Sequence, residues 1–591
     1  MEDDWGFDID GPLTDFLYAY QFTIEQKNTD QYWNKKGGNN FWEDKRLVRV
    51  IGEGGFGIAN VIEKKSINGK RTLSVLKLYK TQIFYGIDQS GNENKNEIVE
   101  VVNEYKIERK WSRFVRKNIL NRQISPNFAY PIDFDSIPYN EFIAGVFSSG
   151  RPFPKNSLWS KDKTMIEYNQ NVLENNKIFN RIGFDADANR LEGAVSMIEL
   201  ELGILGTLPG ALQQAKGRIQ GLDNPNRMRE FIRSFNFGIF AGLLSQQISN
   251  FQHRDIGGTN IVVQDKKLRT KSIHRKNYKY IFGVNLFEIP DEFQNIIPLF
   301  IDFSLSKRIK KPFDKSVPGT QTRLYYRAPE LIFITQKPIV YNIYSDVFST
   351  ALAIIDFVLE DEAVIFNPYL IQKKEVQDAI QELRAFCQRP STEFVNNVIK
   401  AEFICNSNPE QLLVYAWSIK DAIGWLTDDE LLNVEFTNLW KILNKYKKNK
   451  NKEGWLWSDP TLNERVGEDG IKLLKSMLLW DRDLRANPRN EIIRSKYFQP
   501  LLKKKLKRAD TIPLKENEAL FGYRAKIIDR KISRKTPTGG DLLFNNIKDP
   551  EVKPFVIQSC IECRKPATFT HDNINACSHE CLNYVLQDLG K

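Results

Sequence analysis

The chain has 591 residues, of which 41% are hydrophobic and 27% charged, with a formal net charge of +11. That length exceeds one ordinary core and predicts two lobes with additions, and no apolar run is long enough to span a bilayer. The positive charge is spread through lysine-rich insertions, so it reads as solvated surface and does not support nucleic acid as a partner.

Residues 1–45 form a charged extension with no catalytic signal. It starts Met1-Glu2-Asp3-Asp4-Trp5, without a basic segment leading into an apolar one, which predicts an intracellular protein of cytoplasm or nucleus. Next come Ile51-Gly52-Glu53-Gly54-Gly55-Phe56-Gly57-Ile58-Ala59. Gly52, Gly54 and Gly57 space as Gly-x-Gly-x-x-Gly, a pattern that dinucleotide folds place at the opening of a helix. Here β-prone runs, Leu47–Ile51 and 58–63, flank it on both sides. A hairpin is expected whose backbone N–H groups cover phosphates, with Phe56 at the tip.

Thr72–Tyr79 alternates as a strand and sets Lys77 among apolar neighbours. A lysine there is costly unless it meets an anion. A helix is expected over Asn96–Phe114, offering Glu97, Glu100, Glu104 and Glu108. Glu104 is the expected partner of Lys77, because Ile107 and Trp111 follow it on one face, with Glu97, followed by Val101 four residues on, as the reserve. Residues 137–190 read as an insertion. Ala194–Gly203 is a strand running into a linker, whose backbone from Glu199 to Glu201 is placed to meet a purine edge. Met228, Phe231, Ile232, Phe235, Ile239 and Leu243 make one stripe of a helix over Asn226–Ser249.

That helix delivers the chain to His253-Arg254-Asp255-Ile256-Gly257-Gly258-Thr259-Asn260, followed by the apolar Ile261-Val262-Val263. A carboxylate with an amide five residues on suits phosphoryl transfer. Asp255 would meet a hydroxyl and Asn260 a metal ion on nucleotide phosphates. Leu299-Phe300-Ile301-Asp302 is a second apolar strand that delivers one carboxylate, as a Mg²⁺ site requires. Phe303 would pack beneath it. Ala328-Pro329-Glu330 and Arg485 read as a buried ion pair, and Asp346 as an anchor for the Asp255 loop.

In this order, Gly52 to Gly57, Lys77, Glu104, His253-Arg254-Asp255 with Asn260, Asp302-Phe303-Ser304, Ala328-Pro329-Glu330, Asp346 and Arg485 resemble the eukaryotic-type protein kinases. The resemblance covers residues 45–502. Ile301-Asp302-Phe303-Ser304-Leu305-Ser306 is similar to the haspin motif, and the long segment before it is similar to haspin and to virion kinases of large DNA viruses. Ala328-Pro329-Glu330, which haspin lacks, is present.

The resemblance implies an α+β, bilobal fold. A β-rich N-lobe would span residues 46–203, with an insertion at 137–190. A helical C-lobe would span 204–502, with insertions at 264–298 and 359–452. It implies a protein serine/threonine kinase with ATP and Mg²⁺ as cofactors and a protein substrate. Ile51, Gly52, Glu53, Gly54, Gly55, Phe56, Gly57, Ala59, Lys77, Glu104, Glu199, Glu201, Asn260 and Asp302 would hold the nucleotide. Asn260 and Asp302 would bind Mg²⁺, and Asp255 would act as base beside Lys77. Placement in a virion follows if the chain is viral.

Gly257 stands where such kinases carry a lysine for the γ-phosphate. Ser304 replaces the usual glycine, and Thr320 and Thr322 straddle the usual threonine position. Gly257, Ser304 and the polar Glu108 motivate the alternative, a nucleotide-binding pseudokinase scaffold that acts through protein contacts.

Residues 503–550 read as a basic linker. Residues 551–591 hold Cys560, Cys563, Cys577 and Cys581, two pairs whose spacing suits a closed tetrahedral Zn²⁺ site. With four protein ligands the zinc would be structural, and the module would serve folding or a protein partner.

Overall fold

The computed structural model describes residues 45–53, 57–65, 71–79, 86–87, 93–94, 99–138, 194–308, 314–315, 323–332, 340–341, 343–388, 409–425, 438–445, 453–507, 510–524, 569–571 and 574–576. The architecture is mixed helix and sheet. The chain divides into two compact units. The larger comprises Met1–Lys279, Glu288–Leu502 and Leu514–Gly522, and the smaller Tyr280–Phe287, Lys503–Pro513 and Tyr523–Lys591.

The larger unit begins with a five-stranded antiparallel sheet. Its strands are β1 (Lys45–Glu53), β2 (Gly57–Lys65), β3 (Arg71–Tyr79), β4 (Pro131–Pro138) and β5 (Ala194–Glu201), in the order β1-β2-β3-β5-β4. β1 and β2 pair as far as Glu53 opposite Ile58, so the glycine pattern joins two strands and opens no helix. Gly54, Gly55 and Phe56 lie outside the described residues. Helix α1 (Val99–Val115) packs against this sheet, where Tyr79, Tyr105, Ile198 and Leu200 form a small core. Tyr79 and Tyr105 meet edge to face at 5.2 Å, the arrangement aromatic quadrupoles favour.

Helix α2 (Pro225–Ile248) starts with Asn224, whose side chain accepts from the N–H groups of Asn226 and Arg227, and with a proline in its first turn. Its expected stripe is buried, and burial extends around the helix from Ser234 to Gln246. Two glycines explain how a strand reaches it. A Cβ on Gly242 would lie 2.4 Å from the Phe300 ring, and one on Gly238 would lie 3.1 Å from Pro298. Each glycine costs a helix about 1 kcal/mol relative to alanine, and here the bare face admits a strand. That strand is β7 (Ile296–Phe300), which pairs antiparallel with β6 (Ile261–Asp265), Phe300 opposite Ile261 and Ile296 opposite Asp265. Gln264 and Asp265, together with Ile296 to Pro298, therefore belong to this strand pair, and the segment between the strands is shorter than the expected 264–298.

The helical part contains α3 (Ile343–Leu359), α4 (Lys374–Gln388), α5 (Pro409–Ile423) and α6 (Pro460–Met477). α6 packs on both α2 and α3. Residues 359–452 were expected as an insertion, but α5 within them buries Leu412, Leu413, Tyr415, Ala416 and Ile419. The Tyr415 hydroxyl donates to the Arg327 carbonyl at 3.2 Å. This helix is part of the core beneath the 324–331 segment.

Two strands, Leu502–Lys505 and Glu518–Arg524, fall within or at the edge of the expected linker 503–550. The lysines dominate its composition, while Ala519, Phe521 and Tyr523 alternate as a strand does. Phe521 is buried in the larger unit, edge to face with Tyr278 at 5.1 Å. In the smaller unit Tyr280 stacks on Phe282, Phe282 faces Tyr523, and the Leu506 N–H donates to the Val284 carbonyl. That unit also holds a short hairpin, Phe569–His571 with Ile574–Ala576. The four cysteines expected to bind zinc lie outside the described residues. Among the described residues no cluster of three or more His, Cys, Asp or Glu forms a metal site, and no helix is long and apolar enough to cross a membrane.

Candidate active site

Lys77 sits in β3 opposite Ala59 on one side and Ile198 on the other. Its ammonium donates to Glu108 Oε2 at 2.8 Å and lies 3.0 Å from Asp302 Oδ2. The Tyr79 hydroxyl also donates to Glu108 Oε2. The Lys77 side chain is 13% exposed and that of Glu108 0%, so these charges are held out of water only because they are paired. Burial acts to lower the pKa of Lys77, but the Asp302 and Glu108 carboxylates outweigh it and raise the value above its usual range. For Asp302 burial acts upward, yet Lys77 and Ser304 hold its carboxyl well below the usual range.

The helix carboxylate that meets Lys77 is therefore Glu108, one turn beyond the expected Glu104. The expected face, running through Ile107, is not the packed one: Ile107 is 36% exposed, while Tyr105, Glu108, Trp111, Ser112 and Val115 are buried. Glu108 occupies a core position with Oε2 bonded by Lys77 and Tyr79, while its Oε1 is buried without a hydrogen-bond partner among the described residues. Of the Glu104 side chain nothing is described. Glu108→Gln is expected to weaken nucleotide binding about tenfold, since a hydrogen bond to a charged group contributes roughly 1.5–3 kcal/mol, and Glu104→Gln to leave it within twofold. Titration of both variants with ATP checks this, and equal loss in the two would return the role to Glu104.

The strand pair β6–β7 aligns the next groups. Asn260 immediately precedes β6 and Ile301 immediately follows β7, and the Ile301 N–H donates to the Asn260 carbonyl at 3.0 Å. Asp302 is the next residue. Its φ of +61°, like the +69° of Arg254, is uncommon for a residue with a side chain and costs on the order of 1–3 kcal/mol. Both residues are held by hydrogen bonds. Asp302 Oδ1 accepts from Ser304 Oγ at 2.7 Å and from the Ser304 N–H at 3.3 Å. Asp346, at the start of α3, accepts from the N–H groups of His253 and Arg254 at 2.9 and 3.0 Å.

His253 donates from Nε2 to the Ile301 carbonyl at 2.8 Å. Burial pushes its pKa down to about 4, so it is a neutral structural donor. Phe303 packs against its ring at 5.3 Å. Phe303 also faces Phe128 and Phe251, and Phe251 stacks on Trp111 of α1. A continuous aromatic path thus joins the helix that carries Glu108 to the residue beside Asp302.

Asn260 Nδ2 donates to both the carbonyl and Oδ2 of Asp255, at 2.8 and 2.7 Å. Asp255 Oδ1 accepts from the backbone N–H of Arg323 at 3.2 Å. Burial and then the charge of Asp302 push the Asp255 carboxyl up to about 6, against the opposing pull of Arg323. Gly257 is explained by Tyr326: a Cβ there would lie 2.8 Å from the tyrosine ring. The Tyr326 hydroxyl is itself fixed by Asp356 Oδ2 at 2.5 Å.

Two expected contacts are not formed as foreseen. Glu199 and Glu201 lie within β5, which has β3 on one edge and β4 on the other. The Glu201 N–H donates to the Tyr130 carbonyl at 2.9 Å. The Glu199 carboxylate accepts from Ser74 Oγ, and that of Glu201 accepts from Arg269 at 2.9 Å. The sheet thus takes up backbone expected to face a purine. Ile51 and Ala59 are partly buried residues of β1 and β2. Gly52, Glu53 and Gly57 are placed by backbone register alone.

Tyr79, Ser304 and Arg323 are contacts that sequence reading missed. The absence of a lysine at Gly257 was the available signal for Arg323, because the question of what replaces that charge points to nearby cations. Away from these groups, Arg485 donates twice to Glu330, at 2.8 and 2.6 Å.

No family model matches the sequence, and no curated protein does. Among solved structures, a chain of the CAK complex from Chaetomium thermophilum bound to ATP-γ-S matches over 78% of this chain and 94% of that chain. The identity is 14% and the TM-score 0.40. A likeness that loose assigns nothing to this chain, and the reading below rests on the side chains themselves.

Proposed function

We propose that this chain is a protein serine/threonine kinase of the bilobal eukaryotic type, which moves the γ-phosphoryl group of ATP to a protein hydroxyl. One observation carries the reading. Lys77 is held between Glu108 and Asp302, while the register of β6 and β7 sets Asp302 beside the Asp255–Asn260 loop. A cation for phosphates, a carboxylate base and an oxygen donor set are thereby brought together.

The donor set suits Mg²⁺. Asn260 directs its amide nitrogen to Asp255, which leaves Oδ1 as an acceptor, and Asp302 adds carboxylate oxygens. Hard divalent cations take such oxygens. When bound there, the metal would offset phosphate charge. Lys77, kept protonated by its two carboxylates, binds phosphate oxygens. Asp255 orients the acceptor hydroxyl and takes its proton as the oxygen–phosphorus bond forms. The bond to the bridging β–γ oxygen breaks and ADP leaves. The chain supplies mainly position and charge.

Incubation with γ-labelled ATP, Mg²⁺ and protein acceptors, followed by phosphoamino-acid analysis, tests the reading. Label is expected on serine or threonine, and Lys77→Met is expected to reduce it about 100-fold or more. Label confined to tyrosine would overturn the specificity. ATP binding without any transfer by the wild type would favour the pseudokinase scaffold.

A further inference from the structure

Phosphoryl transfer of this kind gathers negative charge around the moving group, and the loop position that would supply a lysine is Gly257. The Tyr326 ring closes that position. Three carboxylates, Glu108, Asp255 and Asp302, stand in the site, and Lys77 reaches only the first and the last. The Asp255 side is left open to a different cation.

Arg323 is that cation in the described structure. Its backbone N–H is bonded to Asp255 Oδ1 at 3.2 Å. Its guanidinium donates from Nη2 to Asn260 Oδ1 at 3.1 Å, and its Nε lies 3.8 Å from Asp255 Oδ2. The side chain is 41% exposed, so it is free to turn without opening the core.

We propose that Arg323 is a catalytic residue that contacts the transferring phosphoryl group and replaces the lysine excluded at Gly257. This inference rests on the kinase reading above. One short turn serves both ends of the exchange. Tyr326 N–H donates to the Arg323 carbonyl at 3.2 Å and Arg327 N–H to the Leu324 carbonyl at 3.1 Å. The tyrosine that fills the space over Gly257 is thus tied to the residue that brings the arginine in. The guanidinium donates to Asn260 Oδ1, the oxygen assigned to the metal. With ATP and Mg²⁺ bound, the guanidinium would turn from that oxygen to the phosphoryl oxygens, while its backbone N–H would stay on Asp255. A planar guanidinium with forked donors suits a group whose charge spreads over equatorial oxygens. No bond to Arg323 forms or breaks, and its proton count is unchanged.

The test compares wild type, Arg323→Ala and Arg323→Lys under single-turnover conditions with Mg-ATP and a protein acceptor. ATP affinity is measured on the same samples. Arg323→Ala retains the backbone N–H that Asp255 uses, and thermal melting of each variant controls for folding. The expected result is a transfer rate about 100–1,000-fold lower for Arg323→Ala, with ATP affinity within threefold of wild type. Arg323→Lys should recover part of the rate, and added guanidinium should restore part of the loss in Arg323→Ala but not raise the wild type. An Arg323→Ala rate equal to or above that of wild type overturns the inference and leaves the kinase reading standing. A wild type that binds ATP and transfers nothing overturns both.

Discussion

Arg485→Met is expected to lower the stability of the larger unit by about 3–5 kcal/mol, the usual effect of removing one partner from a buried ion pair. The Arg485 side chain is 0% exposed and that of Glu330 is 13%. The guanidinium donates twice to Glu330 and also to the carbonyls of Leu479, Tyr344 and Trp480. Methionine fills similar volume, so the main loss is electrostatic: Glu330 stays buried without its cationic partner, with Ser345 Oγ and its own backbone N–H as neutral donors.

Burial acts to raise the Glu330 pKa, but Arg485 outweighs it and holds the value below the ordinary one. A depressed carboxyl pKa contributes stability above the unfolded value, about 4.3 for glutamate, and that contribution is lost as pH falls through the folded value. The deficit of Arg485→Met should therefore be largest near neutral pH and shrink on acidification. Urea unfolding at pH 7 and pH 4 checks both points. The double variant Arg485→Met with Glu330→Met should regain much of the loss, because no charge is then left unpaired. A deficit below about 1 kcal/mol at pH 7 would show that solvent reaches the pair.

The order of the main motifs was legible because each element announces itself locally. Alternation marked β3, a helical stripe marked α2, and short apolar runs marked β6 and β7. The position of Asp302 beside Asn260 follows from a two-strand register that any pairing of those runs would approximate. Glu108 was not legible, because a charged residue at a core position contradicts the apolar pattern used to orient the helix. Its burial depends on Lys77 and Tyr79, which lie far away in sequence.

Glu199 and Glu201 were misplaced because the strand carries its pairing further than the linker reading allowed, and a sequence does not reveal which edges of a strand are taken. Arg323 was hidden by its ordinary surroundings. A threonine was sought between Thr320 and Thr322, and the partners of Arg323, Asp255 and Asn260, lie far away in sequence. Leu502–Lys505 and Glu518–Arg524 were read as linker because lysine content outweighed the alternation of Ala519, Phe521 and Tyr523.

Asp255→Asn is expected to lower the rate of phosphoryl transfer by roughly 10²–10⁴, the range for loss of a positioned general base. The substitution keeps the size and shape of the group, and its one side-chain oxygen can still accept from either Asn260 Nδ2 or the Arg323 N–H, which bond different oxygens of Asp255. It removes the negative charge and the capacity to take a proton. Lys77, Glu108 and Asp302 are untouched, so ATP and Mg²⁺ should bind as before. The most direct test of the account is rapid-quench transfer from γ-labelled Mg-ATP by wild type and Asp255→Asn, with ATP affinity measured on the same preparations. The account predicts affinities within threefold and a transfer rate at least about 100-fold lower in the variant. Equal transfer by the two proteins would contradict it.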